Sequence, residues 1–173
     1  AENGVADKDF AAYVRDKDAV NASMLICEMA AYYRTQGISL LEARENMYKK
    51  YGMFYQTLYS FTFEGESGMN KMDEIMTTLR NNPPTAIAGV PVVKFDDYKA
   101  STSKDIASGE VTELTLPKSN VLAFFLEGGS KVIVRPSGTE PKIKTYLTAK
   151  QPTKAEAEVL EKKLHYEFSK NFQ

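Results

Sequence analysis

The apolar positions of this chain change period several times, and each change marks an element. Over residues 16–37, Val20, Met24, Cys27 and Ala31 recur at helical spacing, with Asp16 or Asp18 placed to cap the start and Gly37 to end it. Ser39-Leu40-Leu41-Glu42 is a capping box that opens a second helix, which runs through Met47 to about Tyr51 and stops at Gly52. The two predict a helical hairpin. No strand precedes it to cover its apolar side, so the chain is expected to be truncated on its N-terminal side.

Beyond Gly52 the period shortens. Phe54, Thr57, Tyr59, Phe61 and Phe63 have the aromatic and β-branched character of a strand over 53–63, and a domain boundary is placed here, between 1–52 and 53–173. A helix over 67–79 gathers Met69, Met72, Ile75, Met76 and Leu79 on one side and ends at Asn81-Asn82-Pro83-Pro84; this methionine stripe reads as core. A strand over 89–95 leads into a polar segment, 96–113, expected to be a mobile loop. Residues 121–126 are apolar on both faces, as in a central strand, and Glu127-Gly128-Gly129-Ser130 turns the chain into a strand over 131–134. Residues 142–148 alternate, with Ile143, Thr145 and Leu147 on one face and Lys142, Lys144 and Tyr146 on the other. A last helix carries a capping box at Thr153 and Glu156 and a stripe of Ala157, Leu160, Leu164 and Phe168. From residue 53 the order is strand, helix, four strands, helix, which predicts an α+β domain with an antiparallel sheet covered by helices on one face.

Composition narrows the chemistry. At 173 residues and 43% hydrophobic content the chain can bury one good core or two small ones. With 22 basic and 23 acidic residues the net charge is −1, which provides no global field for nucleic acid or an anionic membrane, so any phosphate site must be local. No apolar run approaches membrane-spanning length and no signal peptide is visible, so a soluble, cytoplasmic protein is expected. Cys27, the single cysteine, reads as a buried structural thiol, and His165, the single histidine, as a surface residue without metal or acid–base partners at ligand spacing. Asp7-Lys8-Asp9, Asp16-Lys17-Asp18 and Asp96-Asp97 are too sparse for a metal run and read as solvated or capping residues.

One segment carries concentrated chemistry: Val134-Arg135-Pro136-Ser137-Gly138-Thr139-Glu140-Pro141-Lys142-Ile143-Lys144. Arg135 offers a rigid fork of donors that matches phosphate, Ser137 and Thr139 add hydroxyls, and Gly138 lets backbone N–H groups approach a ligand. Pro136 and Pro141 stiffen both shoulders, so less ordering entropy is lost on binding. Lys142 and Lys144 can flank the mouth, while Glu140 is expected to turn outward and pair with a lysine.

This segment resembles the phosphate-binding loop of the α-D-phosphohexomutases, the phosphoglucomutase and phosphomannomutase family, whose last domain carries R-P-S-G-T-E-P-K-[IL]-[KR]. Tyr13-Val14-Arg15-Asp16-Lys17-Asp18-Ala19-Val20, Asn82-Pro83-Pro84 and Lys118-Ser119-Asn120-Val121-Leu122 look like further landmarks of the family's C-terminal part, in the expected order. The resemblance implies a TATA-binding-protein-like domain for residues 53–173 and the tail of a preceding α/β domain for residues 1–52. It also implies that Arg135, Ser137, Gly138 and Thr139 contact substrate phosphate, with Lys144 at a later basic position. The full-length parent would be a mutase acting on a hexose phosphate with Mg²⁺ and glucose 1,6-bisphosphate, its other partners being the N-terminal domains of the same enzyme. No phosphoserine context or Asp-x-Asp-x-Asp metal run occurs here, so no catalytic or metal residue is assigned and the fragment alone is expected to be inactive. Glu64-Gly65-Glu66-Ser67-Gly68 imitates the family's sugar-gripping Gly-Glu-Glu-Ser loop, but it follows the helical hairpin rather than preceding it and reads as a helix start capped by Ser67. Two other readings compete: a non-catalytic TATA-binding-protein-like module for nucleic acid or a protein partner, which the neutral charge disfavours, and a free-standing phosphatase or isomerase, which lacks a nucleophile and base pair.

Overall fold

The structure, a computed structural model, describes residues 18–65 and 67–172. The chain divides into two compact units, Ala1–Tyr51 and Gly52–Gln173. In the first, helices α1 (Ala19–Thr35) and α2 (Leu40–Tyr51) form a hairpin. Asp18 caps α1, its Oδ1 accepting from the N–H groups of Val20 and Asn21; the alternative cap, Asp16, lies outside the described residues, as do Asp7, Asp9 and Tyr13-Val14-Arg15. At α2 the capping box is formed: Ser39 N donates to Glu42 Oε2 at 3.0 Å and Glu42 N to Ser39 Oγ at 3.2 Å. Neither helix buries a residue. The apolar stripe is therefore present as a pattern but open, with Val20 82% exposed, and Cys27 is exposed rather than the buried thiol expected from its apolar neighbours.

The second unit is an α+β layer. Strand β1 (Met53–Thr62) is followed by helix α3 (Gly68–Asn81), the two-residue β2 (Ala86–Ile87), β3 (Val90–Asp97), β4 (Thr102–Asp105), β5 (Val111–Glu113), β6 (Leu122–Leu126), β7 (Lys131–Pro136), β8 (Lys142–Gln151) and helix α4 (Lys154–Ser169). The main sheet runs β1-β8-β7-β6-β3-β4-β5, every neighbour antiparallel, with β2 paired to β3. The polar segment expected to be a mobile loop in fact holds β4 and β5, which extend the sheet from β3.

Both helices lie on one face. Register brings Tyr59, Thr145 and Val134 side by side, and likewise Thr57, Leu147 and Val132, then Phe124 and Phe95. Upon this row sit Leu164 and Phe168 of α4 and Met72, Met76 and Leu79 of α3, all buried. Phe124 and Phe168 meet with ring centroids 5.7 Å apart. Burying such side chains supplies most of the stabilisation, at about 25 cal/mol per Å² of apolar surface. Thr153 and Glu156 form the reciprocal box that starts α4.

Several polar residues are more deeply placed than their sequence suggests. Asp96 and Asp97, read as solvated or capping, are 2% and 4% exposed. Asp96 accepts from Ser103 Oγ at 2.6 Å, while Asp97 accepts from Arg80 Nε at 2.9 Å and caps the following turn through Lys99 N and Ala100 N. Arg80 also donates to Asn120 Oδ1 at 2.7 Å, tying α3 to the start of β6. In α4 the buried stripe includes Glu161 where Leu160 was expected; its Oε1 accepts from Thr57 Oγ1 at 2.7 Å and Tyr59 OH at 2.9 Å. His165 is half-buried, not a free surface group, and stacks on Tyr59 with centroids 3.6 Å apart. Burial, then the hydrogen bond to Glu161, pushes the Tyr59 hydroxyl pKa up.

Candidate functional site

The loop between β7 and β8 is built from both strands inward. Arg135 and Lys144 are directly opposed partners in the β7–β8 ladder, so the strand period that buries Val134 and Thr145 under α3 and α4 sends both cationic residues to the face opposite those two helices. Lys142, two residues before Lys144, shares that face. Among the described residues neither Arg135 nor Lys144 makes an ion pair, whereas Lys142 Nζ lies 3.1 Å from Glu140 Oε2. Glu140 is thus turned outward and paired with a lysine. Among the described residues these two positive charges on adjacent strands, beside an exposed loop, have no ion-pair partner.

The loop itself is closed by short backbone bonds. Ser137 N donates to Lys142 O and Lys142 N to Glu140 O, each at 2.7 Å. Ser137 Oγ turns toward the loop interior and accepts long hydrogen bonds from Thr139 N at 3.4 Å and Glu140 N at 3.3 Å. The amide donors of the bend therefore converge on one neutral oxygen. Gly138 and Thr139 are exposed, and a Cβ added at Gly138 would meet nothing within 4 Å. All five residues singled out for phosphate, Arg135, Ser137, Gly138, Thr139 and Lys144, lie in this one hairpin. Arg135 and Lys144 lie at its base and the other three in the bend.

The far shoulder is held from outside the hairpin. Phe63 N, just past β1, donates to Pro141 O at 2.8 Å. Gly68, the first residue of α3, packs so closely that a Cβ there would lie 2.6 Å from Phe63 O and 3.0 Å from Pro141 Cβ. Gly68, the last residue of the stretch that imitates a sugar loop, is therefore a neighbour of the β7–β8 loop. Ser67 precedes α3 as expected but makes no capping hydrogen bond through its side chain, and its φ of −77° and ψ of −9° are already helical; Glu66 lies outside the described residues. Sequence reasoning missed Gly68. Its signal was a glycine at the head of a helix whose other residues are better helix formers.

Among the described residues no group of three or more His, Cys, Asp or Glu side chains is placed to hold a metal ion, and no helix is long and apolar enough to cross a membrane.

The loop lies within a stretch that is similar to known proteins. Residues 85–164 match the family model described as phosphoglucomutase/phosphomannomutase, C-terminal domain. A phosphoglucomutase of Staphylococcus epidermidis is 38% identical over 136 residues, covering 79% of this chain and 25% of the relative. One from Staphylococcus aureus is 40% identical over 140 residues, covering 81% of this chain and 25% of the relative. The chain thus spans about a quarter of the length of the curated relatives it matches. The crystal structure of the exocytosis-sensitive phosphoprotein pp63/parafusin from Paramecium, a phosphoglucomutase in its open form, superposes with a TM-score of 0.58 at 18% identity, over 92% of this chain and 28% of that one. At that identity it speaks for the fold alone.

Proposed function

We propose that this chain, whose residues 85–164 match the phosphoglucomutase/phosphomannomutase C-terminal domain, is part of a protein of that family, that its β7–β8 loop clamps the phosphate of a hexose phosphate, and that the full-length protein is an intramolecular phosphotransferase. The observation that carries this reading is the pairing of Arg135 with Lys144 across the ladder, both on the face opposite α3 and α4 and both without a carboxylate partner among the described residues. Phosphate oxygens are stronger acceptors than a serine hydroxyl. An arriving phosphate would draw the Thr139 and Glu140 amides away from Ser137 Oγ, while the Ser137 and Thr139 hydroxyls donate to it. Arg135 supplies a bidentate fork and Lys144 a point charge. Each charge-assisted hydrogen bond contributes about 1.5–3 kcal/mol.

In this reading the clamp holds whichever phosphate is not reacting, so that binding energy from the remote end orients the reacting end. Mg²⁺ would neutralise charge on the transferring phosphoryl group in the full-length enzyme, and glucose 1,6-bisphosphate would serve as its intermediate. The described residues do not form a site for that metal, and the clamp's own work is binding and orientation. Residues 1–52 are proposed to be the tail of a preceding α/β domain, and 53–173 the phosphate-binding domain. The open apolar positions of α1 and α2, Met24, Ile26, Leu41 and Met47 among them, suit a helical pair that packs on other parts of the full-length protein.

Titration of the 173-residue chain with glucose 1-phosphate, followed by amide NMR, tests the clamp. The Gly138 and Thr139 amides are expected to shift, and Arg135→Ala to abolish those shifts. Unmoved amides in the wild type would refute the reading. The same chain, given glucose 1,6-bisphosphate and Mg²⁺, is expected to show no mutase turnover.

A further inference from the structure

Gly68 has no backbone reason to be glycine. It lies in regular helix, where alanine is the better helix former, and its φ is not in the left-handed region. What requires glycine is proximity: an added Cβ would sit 2.6 Å from Phe63 O and 3.0 Å from Pro141 Cβ. The first of these is backbone, which cannot swing aside as a flexible side chain could, so an alanine would drive apart the head of α3, the end of β1 and Pro141. Phe63 is itself bonded to Pro141 through its N–H at 2.8 Å. Pro141 is the far shoulder of the clamp loop, one residue after Glu140 and one before Lys142.

We infer that Gly68, acting through Phe63 and Pro141, is a positioning residue for the phosphate clamp: its missing side chain lets α3 seat the β1 end against the loop and sets where the Thr139 and Glu140 amides point. The inference rests on the clamp reading above and adds to it a residue that touches no ligand. It explains why Phe63 and Gly68, at the two ends of a stretch unlike a sugar-binding loop in its place in the chain, belong to the same local structure as the loop. Donor placement matters steeply here, because misplacement of positioning groups by about 1 Å can cost on the order of a hundredfold. Gly138 offers the contrast, since its added Cβ would meet open space.

The test compares wild type and Gly68→Ala by amide NMR, titrating each with inorganic phosphate and with glucose 1-phosphate, alongside urea unfolding. In the free variant the amides of Phe63, Thr139 and Glu140 should move from their wild-type positions while those of β3 and β6 stay. Both anions should bind more weakly by about tenfold, as expected for partial loss of one charge-assisted contact. Wild-type affinity together with unmoved loop amides would overturn the inference. Absence of binding in the wild type would instead sink the clamp reading, a distinguishable result. Should the variant fail to fold, hydrogen exchange on the wild type decides: by linkage, saturating phosphate must slow exchange of the Phe63 N–H if that bond positions the loop, and an unchanged rate would contradict it.

Discussion

Ser137 Oγ accepts from two backbone amides in the free loop, so its removal should act twice. Ser137→Ala is expected to loosen the bend and weaken binding of glucose 1-phosphate by about tenfold, the equivalent of one hydrogen bond near 1.4 kcal/mol. Gly138→Ala should behave differently: with open space around the added methyl, unfolding free energy stays within about 0.5 kcal/mol of wild type. Affinity nonetheless falls, since that methyl enters the volume a ligand would fill. Urea unfolding and NMR titration together check both. Away from the clamp, Glu161→Ala strands the Thr57 and Tyr59 hydroxyls that donate to it and is expected to cost about 1–3 kcal/mol in urea unfolding. Tyr59 has a raised folded pKa, so its contribution to stability is whole below the ordinary tyrosine range and is lost as pH rises through the raised value. A phenolate titration of wild type minus Tyr59→Phe should show this group ionising after an ordinary tyrosine. That the five residues proposed for the clamp share one hairpin was legible, because they lie on a short contiguous stretch between two strand-like runs. The burial of Glu161 was not, because its donors lie far along the chain, Thr57 being 104 residues before it; Asp97 does cap a turn as expected, but its burial and that of Asp96 follow from Arg80 and Ser103, which pattern alone does not bring to them. Cys27 failed for the opposite reason, as an apolar run raises the expectation of burial without supplying the surface that buries it.

At the scale of elements, capping boxes were dependable guides, whereas Ser67, expected to cap α3, makes no side-chain capping bond. Both predicted capping boxes, Ser39 with Glu42 and Thr153 with Glu156, form their reciprocal bonds. Thr153→Ala is expected to reduce stability by about 1 kcal/mol, measured by thermal unfolding. The Glu42 carboxyl pKa is lowered by hydrogen bonding from the Ser39 N–H and then its hydroxyl. Its contribution is therefore present above the ordinary glutamate range and lost as pH falls through the lowered value. Strands β4 and β5 escaped detection because they carry no apolar alternation: Val111–Glu113 is exposed throughout, and Ser103 is buried against Asp96 rather than in an oily core. Such strands are specified by backbone pairing, β4 to β3 and β5 to β4, which leaves no period in the sequence. Thr145, in the centre of β8, has a buried hydroxyl without a hydrogen-bond partner among the described residues. Thr145→Val should accordingly hold or raise stability, and a loss would reveal a partner for that hydroxyl.

For the whole molecule, the near-neutral net charge and the concentrated positive site belong together. A net charge of −1 gives no long-range pull, so the proposed anion capture would depend on Arg135 and Lys144 at short range, and affinity should fall with added salt only modestly. Topology is what brings this about. An antiparallel ladder opposes the two cations, helices on one face force them to the other, and the β1 end with α3 holds the loop's far shoulder. The sheet's face assignment could be read from alternation in β8, but the link between α3 and the loop could not, since it joins residues more than seventy positions apart through a contact whose only trace is one small residue. The most direct measurement is a crystal structure of the 173-residue chain grown in phosphate. An anion held by the Arg135 guanidinium and the Gly138 and Thr139 amides is the predicted result. A loop packed internally, with Arg135 engaged by a carboxylate of its own molecule and phosphate bound elsewhere, would contradict it.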